Sequence, residues 1–279
     1  MTKSFGSRLV LFLLYTALVI ISLLCVAPFL LMMVNATRSG AEIMRGFSLI
    51  PGKALAENWA VVSSNMALFR GLGNSLTISI CVTCLSSYFS SITAFAFAVY
   101  DFRGRNGIFG VILLFMMVPA QLGLFGFYDL VNALGLRDSY VPLIVPAIAS
   151  IGTVFFLRQY TLSALPRAIL EAPRIDGASE LRIFHQIAIP VMAPGIATVS
   201  IGTFIGSWNS YLMPLILLNS PEKMTLPVMI GSLKSVQNVI KNQGATYLAV
   251  AISVIPILIV FAFLSRYIIS SIAAGSVKE

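Results

Sequence analysis

The sequence predicts an all-α membrane protein with six transmembrane helices, and three observations carry that prediction. Its 279 residues are 58% hydrophobic and only 10% charged, with a mean hydropathy of +0.94, whereas soluble domains carry about 25% charged residues. Six apolar segments are each long enough to cross roughly 30 Å of hydrocarbon, which takes about 20 residues of helix. Alternation with a period of two between turn residues is absent, so a β-barrel is not supported.

Taken in order, Lys3 and Arg8 precede the first span, about 9–34. At that length it is an uncleaved helix rather than the short core of a signal peptide, and Pro28 is expected to kink it. A polar connection over 38–73 contains a turn at Ser48–Gly52 and a short amphipathic helix over 56–70, anchored at the interface by Trp59. In the second span, about 74–99, Ser79, Thr83, Ser86 or Ser87, and Ser90 recur every three or four residues. Small residues let backbones approach, so close helix packing is favoured over a polar path on this face. Cys25, Cys81 and Cys84 fall within spans and read as small buried hydrophobes rather than as a metal or redox site.

The third span, about 107–127, carries Met116-Met117-Val118-Pro119-Ala120-Gln121, a helix breaker and an amide near mid-membrane. Irregular backbone at that depth faces protein or a cavity. The fourth span is about 139–157, a polar hairpin follows over 158–190, and the fifth span is about 191–217. A second large polar loop over 218–244 leads to the sixth span, about 245–269. The whole chain, 1–279, reads as a single transmembrane domain with its core over about 74–270.

Six spans place both termini on one side. Of the 18 Lys and Arg residues, ten lie on the side of the termini and eight on the other, a slight positive-inside bias with the termini in the cytoplasm. The net charge of +8 suits anionic lipid, and its scatter between spans argues against nucleic acid. A catalytic site is not supported: there is one histidine, His185, and no nucleophile triad, metal motif or phosphate cradle. All ten acidic residues fall in loops or at span ends, so no intramembrane proton relay is indicated.

The most polar run is Glu171–Pro190, EAPRIDGASELRIFHQIAIP. Pro166 and Pro173 suit first helical turns, and Asp176-Gly177 is a turn dipeptide. Ser179 or Asp176 is placed to cap the next helix, and Pro190 to end it. The prediction is a helix–turn–helix whose tip exposes Glu171, Arg174 and Asp176. On spacing alone, a docking surface and a solvated loop are equal readings.

Glu171-Ala172-Pro173, Gly177 and the closing Ile189-Pro190 resemble the cytoplasmic EAA loop of ABC-importer permeases. Ala172–Ser179 with Phe184 and Ile187 is similar to the carbohydrate-importer branch. So are Asn74-Ser75-Leu76, Val118-Pro119, Trp208-Asn209-Ser210-Tyr211, Leu226-Pro227 and the closing Ala274–Lys278. The similarity spans roughly 9–279. It implies a type I permease fold and a multi-pass subunit of the inner membrane with both termini cytoplasmic. Its implied partners are a second homologous permease, two ATP-binding subunits, an extracytoplasmic solute-binding protein and membrane lipid. No cofactor or metal is expected on this chain, ATP and Mg belonging to the ATPase subunits. The resemblance makes the 158–190 loop the coupling element, with Glu171, Ala172 and Gly177 as coupling residues alongside Arg174, Asp176 and Ser179 at its tip. Two departures stand out: Pro173 replaces the second alanine, and Ala168 and Leu170 stand where acids are usual.

The expected function is ATP-driven import of a sugar, oligosaccharide or polyol. Gln121, Asn209 and Tyr211 are the candidate path residues, each with a competing packing or interface role, and loop 219–243 is expected to meet the binding protein. A stand-alone secondary sugar carrier is the alternative, disfavoured because no inverted repeat or buried acid is evident.

Overall fold

The computed structural model describes residues 5–166, 168–233 and 243–275. In chain order its helices are α1 (Phe5–Ala36), α2 (Gly40–Met44), α3 (Leu55–Asn65), α4 (Leu68–Val99), α5 (Arg105–Met116), α6 (Leu124–Ala133) and α7 (Val141–Ile144). They continue with α8 (Ile151–Ala164), α9 (Ala168–Ile175), α10 (Glu180–Ile183), α11 (Ile189–Trp208), α12 (Leu212–Leu217), α13 (Leu226–Leu233) and α14 (Gln243–Gly275). No strand occurs among the described residues.

Among the described residues, five stretches are long and apolar enough to cross a membrane: Leu9–Ala36, Leu68–Val99, Val141–Ala164, Glu180–Trp208 and Gln243–Tyr267. The pair Arg105–Met116 and Gln121–Ala133, bent by 83°, makes a sixth when counted as one broken span. Pro119 explains the break. It has no N–H to donate, it sits in extended backbone (φ −60°, ψ 125°), and it disfavours helix at Val118.

Several boundaries differ from those predicted. The interfacial helix is α3, with Trp59 half-exposed, and the second span begins at Leu68 rather than 74. The fourth span runs on to Ala164, taking in Arg158, whose guanidinium lies 4.0 Å from the Phe109 ring centroid; an aromatic face and an aliphatic stem make a cation tolerable there. The fifth span starts at Glu180, well before the predicted 191, and α11 stops at Trp208, with α12 a separate short helix. Cys25 and Cys84 are exposed rather than buried.

The chain forms two compact units, Met1–Leu68 with Met229–Ile255, and Phe69–Val228 with Pro256–Glu279. In the first, Asn58 is buried and its Nδ2 donates to the carbonyls of Ala36 (2.9 Å) and Arg38 (3.0 Å), fastening α3 to the end of α1. Ser39 and Glu42 form a capping box at the start of α2. Most of α1 stays exposed along its apolar length, with Phe12, Leu23 and Leu24 about two-thirds exposed.

In the second unit α4, α8 and α11 pack through small residues. Ser79, Ser86, Ser87 and Ser90 on α4 are buried. Ser87 Oγ lies 2.8 Å from Ser200 Oγ on α11, and Ser86 donates to Thr153 on α8 at 3.4 Å. The serine-rich face is therefore a packing face. Gly195 on α11 is covered by the Tyr160 ring of α8, so closely that a Cβ would fall 2.7 Å from it.

Candidate functional site

The polar hairpin is a helix–turn–helix built by local chemistry. α9 ends at Ile175, and the turn that follows satisfies its last carbonyls: the Ala178 N–H donates to Pro173 O at 2.9 Å and the Gly177 N–H to Arg174 O at 3.1 Å. That is a Schellman turn, which places the residue after the cap in left-handed backbone. Gly177 holds that position at φ +77°. Ser179 caps α10 by accepting the Arg182 N–H, so of the two candidates Ser179 is the cap.

Two prolines behave otherwise than expected. Pro173 lies inside α9 rather than in its first turn. Its missing N–H leaves one early carbonyl without an intrahelical donor, which an eight-residue surface helix tolerates. Pro190 does not end the hairpin helix. A π-helical turn over Phe184–Ala188 precedes it, with the Ile189 N–H reaching back five residues to Phe184 O. Shifting the hydrogen bonds by one residue accommodates a proline that has no bond to give. The hairpin's second arm and the fifth span are consequently one helical stretch.

The hairpin's inner face is apolar and fully buried. Leu170, Ile183 and Phe184 pack with Ala94 and Phe95 of α4, Leu157 of α8, and Met192 of α11. Leu170, at a position where an acid was anticipated, is 0% exposed; an unpaired carboxylate in that place would be strongly unfavourable. Arg174 pairs with Glu180 through Nε–Oε1 at 2.9 Å and Nη2–Oε2 at 3.2 Å, the bidentate geometry that favours Arg. Tyr100, just past the end of α4, donates its hydroxyl to Glu180 Oε2 and lies beneath the Arg174 guanidinium. The hydrogen bonds to Glu180 raise the Arg174 pKa, and burial, then Glu180, push the Tyr100 phenol up to about 12. Arg174 thus braces the hairpin against α4. Glu171, Ala172, Arg174, Asp176, Gly177 and Ser179 are exposed, and Ile175 beside them is 86% exposed. His185 is tied down, with Nδ1 2.7 Å from Leu181 O and Nε2 3.2 Å from the Tyr88 hydroxyl.

At the opposite end of the same span lies an open cavity of about 730 Å³. Its polar lining is Ser150, Thr203, Ser207, Ser210 and Thr225, with Phe127 beside them. Gln121, Asn209 and Tyr211 are exposed and do not line it, although Gly123 and Ser210 next to them do. Sequence reasoning missed Thr203 and Ser207; their spacing with Ser210 at three and four residues was the available signal.

The segment after α12 is fastened beside this cavity. Asp138, at φ +55°, accepts the N–H groups of Asn219 and Ser220 (both 2.9 Å), the Ser220 hydroxyl (2.5 Å) and Lys223 Nζ (3.0 Å). The Ser220 bonds foremost hold its carboxyl well below the usual carboxylate range. Asn74 Nδ2 donates to Glu222 O and Met224 O, and Ser75 Oγ accepts the Leu226 N–H at 2.8 Å. The motifs Asn74-Ser75-Leu76 and Leu226-Pro227, 151 residues apart at that bond, thus meet in space. Residues 234–242 of the loop expected to meet the binding protein lie outside the described residues.

Within the second unit, one helical span thus carries a polar hairpin at one end and a cavity without ionisable lining residues at the other. Residues 86–273 match the family described as binding-protein-dependent transport system inner membrane component, and the chain belongs to that family. It is 36% identical over 262 residues to the arabinooligosaccharides transport system permease protein AraQ of Halalkalibacterium halodurans, covering 92% of this chain and 93% of the relative. Its identity to the lactose transport system permease protein LacG of Rhizobium radiobacter is 30%, covering 95% of each. The fold is that of an ABC-importer permease: a bacterial ABC transporter involved in the import of the acidic polysaccharide alginate superposes with a TM-score of 0.79 at 22% identity, over 96% of this chain and 99% of that one. The chain is therefore a membrane transport component, not an enzyme.

Proposed function

We propose that this permease is one of two that form the path of an ATP-driven importer for a sugar, oligosaccharide or polyol, coupled to its ATPases through the 158–190 hairpin. The observation that carries the substrate class is the likeness, over more than nine-tenths of the chain, to permeases named for arabinooligosaccharide and lactose transport. Two ATP-binding subunits, with their ATP and Mg, dock on Glu171, Ala172, Arg174, Asp176, Gly177 and Ser179, which all face solvent, Arg174 while also paired with Glu180. This puts the hairpin and both termini in the cytoplasm, and the cavity with the 219–243 loop towards the binding protein.

The geometry supports a mechanical reading. The stretch Glu180–Trp208 is 29 residues long, about 43 Å at 1.5 Å per residue, and it carries the hairpin's second arm at one end and Thr203 and Ser207 of the cavity at the other. Because Leu170, Ile183 and Phe184 are locked into the core, a push on the hairpin moves the span rather than bending the loop. ATPase closure would then reshape the cavity, provided that nucleotide binds the two states with different affinity. Gln121, Asn209 and Tyr211, each one or two residues from the cavity lining, are assigned to the path with it.

The test is co-purification. A tagged chain is expected to bring down a second permease and an ATPase, and the reconstituted assembly to accumulate sugar only with ATP and the binding protein. Uptake by the purified chain alone, without ATP, would overturn this reading in favour of a stand-alone carrier.

A further inference from the structure

One buried polar group at the cavity has no partner. Thr225 is 4% exposed and lines the cavity, while its Oγ1 is itself closed off from solvent and makes no hydrogen bond among the described residues. Buried hydroxyls are nearly always paired, and each exception asks for a reason. An ordinary use lies close by and is not taken. Thr225 immediately precedes α13, where a threonine hydroxyl commonly accepts the second or third N–H of the helix. Here the second residue of α13 is Pro227, which has no N–H, and Thr225 Oγ1 takes none from Val228; the Leu226 N–H goes to Ser75 Oγ, and the Met224 carbonyl is held by Asn74. The chain is thus fastened to α4 on both sides of Thr225, which keeps the residue at the cavity wall, where a turn of χ1 to another staggered well is what would bring Oγ1 to a solute.

The surroundings define what such a hydroxyl would meet. No lining residue is ionisable, so the wall suits a neutral solute. Thr203, Ser207 and Ser210 add hydroxyls, and Phe127 offers an apolar ring face; a few convergent polar groups in an apolar wall fix a ligand's orientation. Ser150 is already engaged with Thr153 at 2.7 Å. We infer that Thr225 is a specificity-determining residue that hydrogen-bonds a hydroxyl of the neutral carbohydrate in transit, with Asn74 and Ser75 as its positioning residues. This rests on the sugar-import reading above.

The experiment uses the complete importer with its binding protein in proteoliposomes, offered labelled arabinooligosaccharide, lactose and diacetylchitobiose. Whichever sugar the wild type accumulates becomes the probe, together with its singly deoxygenated analogues. Thr225→Val, which keeps the shape and removes the hydroxyl, is expected to lower uptake of the parent sugar about five- to tenfold, the weight of one hydrogen bond. One deoxy analogue should be transported equally by wild type and Thr225→Val, and Thr225→Ser should restore discrimination against it. Dividing the variant's preferences by those of the wild type cancels selection by the binding protein. An unchanged uptake in Thr225→Val overturns the inference and leaves the sugar-import reading standing. So does an equal fall for every analogue, which would mark a purely structural role. If the wild type accumulates none of the three, a wider panel of labelled sugars, oligosaccharides and polyols is offered, and accumulation of none of them overturns both.

Discussion

Asp138 shows what a single residue contributes and why sequence alone could not reveal it. Its position at a span exit was legible, but its partners Asn219, Ser220 and Lys223 lie 81 to 85 residues further on, and nothing local announces them. Gly177 and Ser179 are the opposite case, since a turn and a cap are written within a few residues of themselves. Because the folded carboxyl of Asp138 is held below its unfolded value of about 3.9, its contribution is fully present above that pH and is lost as pH falls through the folded value. Protection of the amides of 217–226, taken against intrinsic exchange at each pH, is therefore expected to be flat from neutral pH down to about pH 4 and to fall only in stronger acid. Asp138→Asn, which cannot hold Lys223 by charge, should exchange faster already at neutral pH. Equal exchange in the two proteins at pH 7 would show that the clasp is incidental.

Helix ends were harder to read than helices. The apolar segments and the break at Pro119 followed from composition and from proline's missing donor, and the serine-rich face of α4 was read correctly as a packing surface. The start of the fifth span was not, because Pro190 looks like a terminator until the π turn ahead of it re-routes the hydrogen bonds. Likewise Arg158 looked like the start of a loop until Phe109 covered it. The contact between α8 and α11 depends on Gly195 lying under Tyr160, which neither helix's own pattern discloses. Gly195→Val would drive two methyls into that ring, an overpacking that typically costs about 1–3 kcal/mol. We expect a lowered thermal midpoint in detergent, partly recovered when Tyr160→Ala is added, because contacting sites couple. No recovery in the double variant would mean that the two helices do not rely on this contact.

For the whole molecule the question is whether the hairpin transmits force or merely covers the bundle's end. Its inner and outer faces allow the two roles to be separated. Leu170 is fully buried among α4, α8 and α11, whereas Glu171, the next residue, is exposed. Leu170→Asp places a charge in the apolar core and should disrupt the hairpin itself, seen as new protease cuts within 158–190 and loss of co-purifying ATPase. Glu171→Lys disturbs nothing inside the chain: insertion, protease resistance and thermal midpoint should match the wild type. If the exposed face is the docking surface proposed above, that reversal of charge should nevertheless abolish the stimulation of ATP hydrolysis by the solute-loaded binding protein. Such a loss, with the ATPase still co-purifying and the stability unchanged, would separate transmission through the hairpin from docking on it. Wild-type stimulation in Glu171→Lys would mean that force enters the bundle elsewhere, and the lever would have to be sought outside the hairpin.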